Sequence, residues 1–432
     1  MRILIYSYNY HPEPIGIAPL MTELAEGLAA RGHQVRVVTA MPNYPDRSIH
    51  PDYRGRLYST ETRNGVTIQR CFVWVRPQAG LWGRLSLELS FMVLSLGPAL
   101  AGWRPDVILN TSPSLLACLP VALVKRWFRC PSVLNVQDLL PAAAVKTGLL
   151  SNPWAIRAMQ WLERFAYHQA NRISVITSRF RDSVLQQGVP SQTVTTLPNW
   201  VDTHFICPQT QGTSRFRQRH GLQDKFVVLY AGNIAETQGI STAMGAAQAL
   251  AAYPTIQLVI VGERRRLADL EHMRQHLGLT NVLLHPFVPR AELPDLVAAA
   301  DVGLVLQKQQ VVEFNMPSKI QLLLASGRPL VASVPGAGVA AQVVQASGGG
   351  LVVQPENPAT LAAGIVQLYR DRALATRLAC QGRRYAETHF SLERSLDQYE
   401  ALFYALTTAQ QPQAQPDSLV LCGTRRPTIP DT

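Results

Sequence analysis

Residues 1–40 read MRILIYSYNY HPEPIGIAPL MTELAEGLAA RGHQVRVVTA, and this stretch decides the fold class. Arg2–Ser7 is a short run of aliphatic and aromatic residues that reads as a strand. Ala18–Arg31 sets Leu20, Met21, Leu24, Ala25 and Leu28 at helical spacing, Gly32 is placed to end that helix, and Gln34–Thr39 is the next strand. A continuous apolar strand, an amphipathic helix and a second apolar strand make a βαβ unit. Such units build parallel sheets covered on both faces.

The same alternation continues outward. Strands are expected at Val66–Phe72, Val107–Thr111, Ser132–Val136 and Ile173–Thr177, with helical stretches between several of them. Pro208, Gln209, Gln211, Gly212, Thr213 and Ser214 then crowd together in the composition of a linker. Beyond it strands are expected at Phe226–Tyr230, Gln257–Val261, Val282–His285, Val302–Leu306, Leu330–Ser333 and Gly350–Val353. The reading is two open α/β domains, with ligands beyond the carboxyl ends of the strands, in a cleft between lobes. The expected division is a first domain at 1–204, a linker at 205–222 and a second domain at 223–390. A helix at 391–408 is expected to return toward the first domain, and the Gln- and Pro-rich 409–432 reads as a disordered tail.

Composition narrows the class. The chain has 432 residues, 47% of them hydrophobic and 16% charged, which excludes a mainly disordered protein. Six cysteines without a CxxC pair exclude a disulfide scaffold and read as thiols of a reducing compartment. The formal charge of +11 points to polyanionic partners, yet the basic residues form no long run, which argues against a nucleic-acid tail. The start runs straight into a strand with no signal-peptide layout, so the expected address is cytoplasmic. The apolar stretch Leu81–Trp103 carries Trp82 and Trp103 near its ends, and its longest apolar run, Leu89–Trp103, falls short of the ~18–20 residues that cross a bilayer. It reads either as a buried helix or as an interfacial one on an anionic membrane surface, with Arg76, Arg84, Lys125, Arg126 and Arg129 nearby.

Several loops at strand ends have the residue types of a phosphate site. Gly16, in the loop that opens the first helix, allows close approach of a ligand to a helix N-terminus. Gly232-Asn233 ends one strand and precedes Gln238-Gly239. Gly262-Glu263 ends the next and runs into Arg264, Arg265 and Arg266, which read as a fork for a diphosphate or as a solvated helix face. The stretch from Lys308 to Arg328, KQQVVEFNMPSKIQLLLASGR, is the most informative. Pro317 stands at a natural first helical position, with Ser318 and Lys319 in the first turn, which together make a pyrophosphate seat. Glu313 in the preceding loop is placed to accept hydrogen bonds from sugar hydroxyls. Gly336 to Ala341 fits GxGxxA but falls too late for a dinucleotide fingerprint and reads as a cleft loop. Neither a DxD triplet, nor GxSxG, nor a Walker-type loop occurs, so no metal or other cofactor is expected.

With these residues in hand the chain resembles the retaining glycosyltransferases of the GT-B fold, family 4, over about residues 1–408. The resemblance rests on Pro14-Ile15-Gly16-Ile17, Val136-Gln137-Asp138-Leu139-Leu140-Pro141, Leu197-Pro198-Asn199-Trp200-Val201-Asp202 and Tyr230-Ala231-Gly232-Asn233-Ile234. It rests further on Val261-Gly262-Glu263, on Ala298 to Leu304 and on Glu313 to Arg328. The strings around Gln238-Gly239, Lys308, Met316-Lys319 and Ala325-Pro329 are most like bacterial exopolysaccharide enzymes, the colanic-acid fucosyltransferase and O-antigen N-acetylfucosaminyl transferase subgroup. The resemblance implies two Rossmann-like domains facing across a cleft, the first (1–204) acceptor-binding and the second (223–390) nucleotide-sugar-binding. It implies a nucleoside-diphosphate sugar as donor and a lipid-linked or other oligosaccharide as acceptor. Glu313, Lys319 and Asp138 are the implied catalytic residues, with Gly16, Gly232, Asn233, Gln238, Gly262, Glu263, Arg264, Lys308, Pro317, Ser318 and Gln321 around the donor. Three positions depart from the family pattern. Its second acid falls at Gln321, and its phosphate-binding Arg and Lys fall at Asn233 and Gln238, which shifts neutralisation to Lys319 with Lys308 or an arginine of 264–266.

The function expected is a metal-independent hexosyl-type glycosyltransferase, peripheral on the inner face of the cell membrane. A nucleotide-sugar epimerase on the same fold and a non-catalytic basic protein for membrane or RNA are the competing readings.

Overall fold

The computed structural model describes residues 1–14, 16–44, 47–76, 81–112, 114–139, 152–310 and 316–408, apart from the side chains of 81, 82 and 84. Glu313 and the 409–432 tail lie outside the described residues.

The first domain runs β1 (Arg2–Tyr6), α1 (Ala18–Ala30), β2 (Gln34–Ala40), β3 (Tyr58–Arg63), β4 (Val66–Cys71), α2 (Leu81–Leu94) and α3 (Leu96–Leu100). It continues with β5 (Val107–Thr111), α4 (Cys118–Phe128), β6 (Ser132–Val136), α5 (Pro153–Gln169), β7 (Arg172–Val175), α6 (Ser178–Gln186) and β8 (Val194–Thr196). The described strands form an eight-stranded sheet in the order β3-β4-β2-β1-β5-β6-β7-β8. All neighbours are parallel except β3 against β4. That edge hairpin turns at Asn64-Gly65 with φ of 46° and 79°, the double left-handed turn that an Asn-Gly pair favours between antiparallel strands.

The second domain begins at α7 (Arg215–Arg219) and β9 (Phe226–Ala231), followed by α8 (Ile240–Ala249), β10 (Ile256–Gly262), α9 (Arg264–His276) and β11 (Val282–Pro286). Then come α10 (Leu293–Ala298), β12 (Val302–Leu306), α11 (Ser318–Ala325), β13 (Leu330–Ser333), α12 (Val339–Ser347), β14 (Gly350–Val353), α13 (Pro358–Arg370) and α14 (Arg372–His389). Its sheet is six-stranded and parallel, in the order β11-β10-β9-β12-β13-β14.

The chain crosses between domains twice, side by side: Val201 N–H donates to the Phe390 carbonyl at 2.8 Å, and Leu392 N–H donates to the Val201 carbonyl. After the second crossing α15 (Leu392–Thr408) lies on α1, and Leu396, Tyr399, Phe403 and Leu406 join the first domain's core. Burying each such side chain contributes ~1.5–3 kcal/mol. The exposed ion pairs of Arg31 with Glu393 and Asp397 on the rim contribute ~0–1 kcal/mol each, so apolar burial is what holds α15.

The apolar stretch Leu81–Trp103 is not one helix. It breaks at Ser95 between α2 and α3, and Phe91 is fully buried, edge-on to Tyr6 and Tyr8. Leu85, Leu89 and Val93 form the exposed stripe of α2. No helix among the described residues is long and apolar enough to cross a membrane.

Candidate functional site

The carboxyl ends of the two sheets face each other. Tyr44, in the loop after β2, donates its hydroxyl to Glu263 Oε1 at 3.0 Å, beyond β10. Arg179, after β7, donates to the Ala337 carbonyl in the glycine-rich loop after β13. Farther along, Arg290 pairs with Glu23, whose other oxygen accepts from Trp200 Nε1 at 3.1 Å. These contacts bound a cleft walled by loops from both domains.

On the second domain's side, Lys319 reaches from the first turn of α11 across the end of β9. Its Nζ donates to the Tyr230 hydroxyl at 3.0 Å and to Gln238 Oε1 at 3.2 Å, and lies 4.4 Å from the Tyr230 ring centre. Gly232, with φ of 138°, makes room for it: a Cβ there would lie 2.5 Å from Lys319 Cε. Removal from solvent lowers the pKa of this ammonium to about 8. Among the described residues this cation is held by a hydroxyl, an amide oxygen and a ring face. Gly232, Gln238 and Lys319 are thus brought together, and Tyr230 beneath them was not singled out by the sequence reading. Its signal was the Tyr230-Ala231-Gly232 string, where an aromatic at a strand's last turn has no periodicity to mark it.

The remaining donor-side residues are spread around this centre. Pro317 caps α11 and Ser318 starts it, so the helix begins one residue later than expected. Gly262 packs against Gly232 and Ile234, closing the gap between adjacent strand ends. Lys308 lies over Gly239 and pairs with Glu236 at 3.4 Å, a carboxylate that already partners its charge. Asn233 accepts from the Tyr230 hydroxyl through its backbone carbonyl at 2.8 Å. Glu263 faces Tyr44, Arg264 is exposed at the start of α9, and Gly16 is an exposed loop residue with φ of 70°. Gln321 is buried, and its Nε2 donates to the Asn199 carbonyl at 2.8 Å.

On the opposite wall Gln137 and Asp138 follow β6. Gln137 N–H donates to Ser112 Oγ at 3.0 Å, which fixes the turn. Asp138 is an exposed residue of this loop, and partial removal of its carboxyl from solvent by the surrounding protein raises its pKa to about 6. Glu88 of α2, hydrogen-bonded by Ser114, is a second carboxyl raised by burial and was likewise unread. An isolated Glu in an apolar helix gives no sign that a loop hydroxyl will meet it.

The arrangement matches known proteins along nearly its whole length. Residues 16–200 match the glycosyl transferase 4-like domain, and residues 213–385 match the glycosyl transferases group 1. The chain is 32% identical over 407 residues to WcaI, the glycosyl transferase assigned to colanic acid biosynthesis in Escherichia coli (strain K12), covering 92% of this chain and 98% of that one. Among solved structures, sucrose-phosphate synthase from Thermosynechococcus elongatus superposes with a TM-score of 0.72 at 20% identity, over 95% of this chain and 100% of the other. Anabaena HepE in complex with UDP-glucose superposes with a TM-score of 0.67 at 18% identity, over 94% and 100%. With the two family models together covering most of the chain, and a relative 32% identical along nearly all of it, the chain belongs to the glycosyltransferases, and its two facing sheets have the GT-B fold.

Proposed function

We propose that this glycosyltransferase moves a sugar from a nucleoside-diphosphate sugar to a lipid-linked oligosaccharide, with retention of anomeric configuration, in bacterial exopolysaccharide or O-antigen synthesis. The observation that carries the donor reading is the desolvated Lys319 ammonium, which among the described residues is held by the Tyr230 hydroxyl and the Gln238 amide oxygen at a strand end and a helix start. The colanic-acid assignment of the E. coli relative and the UDP-glucose bound by HepE support the pathway and donor class. As the bond from the anomeric carbon to the diphosphate oxygen breaks, negative charge gathers on that oxygen. Lys319 and the N–H groups opening α11 stabilise it where it forms. The acceptor oxygen bonds to the anomeric carbon on the same face, and its proton passes to the departing phosphate. Glu313 orients the donor sugar in this scheme, and Asp138 accepts a hydrogen bond from the acceptor hydroxyl.

A thermal-shift screen with GDP, UDP, dTDP and ADP tests the donor class, because a ligand bound only by the native state raises its stability. Turnover of the matching nucleotide sugar is expected to persist in EDTA, since Lys319 supplies the cation. The pH profile of kcat/KM for the donor reports free-enzyme groups. It is expected to rise through pH 6 as Asp138 ionises and to fall above pH 8 as Lys319 loses its proton. Stabilisation by none of the four nucleotides would end the donor reading.

The lipid-linked acceptor and the anionic membrane draw support from one face of the first domain. There α2, α4 and α5 lie side by side, with Leu89, Val93, Leu123, Trp127, Trp154 and Trp161 exposed. Trp127 and Trp154 are 74% and 76% exposed, far beyond what a core tryptophan shows. Arg126, Arg129, Arg157 and Arg164 are exposed on the same helices, and a groove of about 930 Å³ between α4 and α5 is lined by Leu119, Leu123, Lys125, Arg126, Arg129 and Phe165. Tryptophan favours the headgroup boundary, and each basic residue near an anionic surface contributes ~1 kcal/mol. The protein is expected to float with anionic vesicles at low salt, and Trp127→Ser with Trp161→Ser should weaken flotation. Sedimentation away from anionic and neutral vesicles alike would remove the membrane from the proposal.

A further inference from the structure

Gln321 stands where the family resemblance places an acid toward the donor ribose, and the structure puts its amide to another use. It is 3% exposed on α11, two positions beyond Lys319, and donates Nε2–H to the Asn199 carbonyl at 2.8 Å. A carbonyl only accepts, so the nitrogen of the amide must face it. Asn199 opens the first crossing between the domains. Its side chain is paired with that of Gln137 by two amide hydrogen bonds, at 2.9 and 2.8 Å. Gln137 Nε2 also reaches Asn135 Oδ1 at 2.7 Å. Asn135 Nδ2 in turn donates to Ser174 Oγ at 3.0 Å and to the Tyr399 hydroxyl at 2.9 Å. One chain of amides therefore joins the helix of Lys319, the crossing, the end of β6 and the returning helix α15. Asp138 is the residue after Gln137.

We infer that Gln321 is a positioning residue whose amide N–H fastens the Lys319 helix to the Asn199 carbonyl, and through the Asn199–Gln137 pair holds the Asp138 wall opposite the phosphate seat. The inference rests on the donor-site reading above, but it makes its own demand on the chemistry of position 321. The tie needs a donor. A glutamate there has none when ionised, and it sets a desolvated carboxylate against a carbonyl oxygen. When protonated it regains an O–H and can make the same bond. A direct grip on ribose makes the opposite demand, because an ionised carboxylate binds a hydroxyl more strongly than an amide oxygen does. Buried amide networks with satisfied members also rigidify what they join, which is what two loops on separate domains need to meet one substrate.

The test uses Gln321→Glu and Gln321→Met in the full chain, with the nucleotide sugar identified by the thermal-shift screen. At pH 8 both variants are expected to bind the nucleoside diphosphate within about threefold of wild type while kcat falls about tenfold or more, the split of a misplaced rather than an unbound substrate. The ratio of Gln321→Glu to wild-type kcat should climb as pH falls to 5.5, while that of Gln321→Met stays flat. Gln321→Glu equal to or faster than wild type at pH 8 would show a ribose grip and overturn the tie. A pH-independent loss in Gln321→Glu would reduce the residue to packing. Small-angle scattering of the ligand-free proteins stands apart from the donor reading: the radius of gyration should rise in Gln321→Met. Unchanged scattering in both variants would overturn the inference, whichever nucleotide binds.

Discussion

Replacing Lys319 by alanine is expected to lower turnover by about 10²-fold or more, the scale of removing one preorganised partner of transition-state charge. Neither of the two other candidate cations among the described residues replaces it. Lys308 is paired to Glu236, and Arg264 is exposed at the start of α9. The same burial that makes the ammonium useful makes it costly in the empty protein. Its pKa of about 8 lies below the ordinary 10.5, so the unfolded chain binds the proton more readily than the native one. The penalty is fully present below pH 8 and fades as pH rises from 8 toward 10.5. Lys319→Met, which keeps the apolar stem, should therefore be at least as stable as wild type at pH 7 while losing activity, with the stability gap narrowing above pH 8.

An arriving diphosphate reverses that balance. Its charge favours the ammonium, so nucleotide binding at pH 8 should draw up to about half a proton per site from the buffer. Calorimetry in two buffers of different ionisation enthalpy measures this directly, and Lys319→Met should abolish it. A folded Lys319→Ala protein with near-normal turnover, or wild-type binding with no proton uptake, would take Lys319 out of the seat.

How the sequence foreshadowed these features differs by element. Strands buried on both faces, such as Val302–Leu306 and Ser132–Val136, were legible because continuous apolar runs between turn residues have few other uses. The edge strand Tyr58–Arg63 was missed, although the Asn64-Gly65 turn marked it, because its alternating exposed face dilutes the apolar signal. Phe91 and Leu89 looked alike in an apolar stretch, and only the break at Ser95 and the rings of Tyr6 and Tyr8 separate the buried one from the exposed one. In the site, Lys319, Gly232 and Gln238 were legible as types at strand ends. That Gln321 serves a backbone carbonyl 122 positions away was not, since no local pattern records a contact across domains.

Asp301 is expected to show the largest stability effect. It is a buried carboxylate immediately before β12, and Arg217 from the segment after the crossing forms an ion pair with its Oδ2. Val227 N–H donates to the same oxygen at 2.8 Å, and Gln211 Nε2 donates to Oδ1 at 3.0 Å. The segment with a linker's composition is thus pinned to the sheet by a group that four donors satisfy, counting Arg372 at 3.2 Å. Asp301→Ala leaves the Arg217 guanidinium buried without its anion, which costs roughly 3–5 kcal/mol. The denaturation midpoint of the second domain should fall accordingly, with the two domains followed separately because a single transition is not assured. Arg217→Met with Asp301→Leu should recover part of the loss, since the cost lies in the unpaired charge more than in the missing bond. Below its unfolding transition Asp301→Ala should keep wild-type nucleotide affinity, because Asp301 stands at the amino end of a strand whose carboxyl end leads to the site. A loss below 1 kcal/mol, or lost affinity in the folded variant, would contradict this division between the pin and the site.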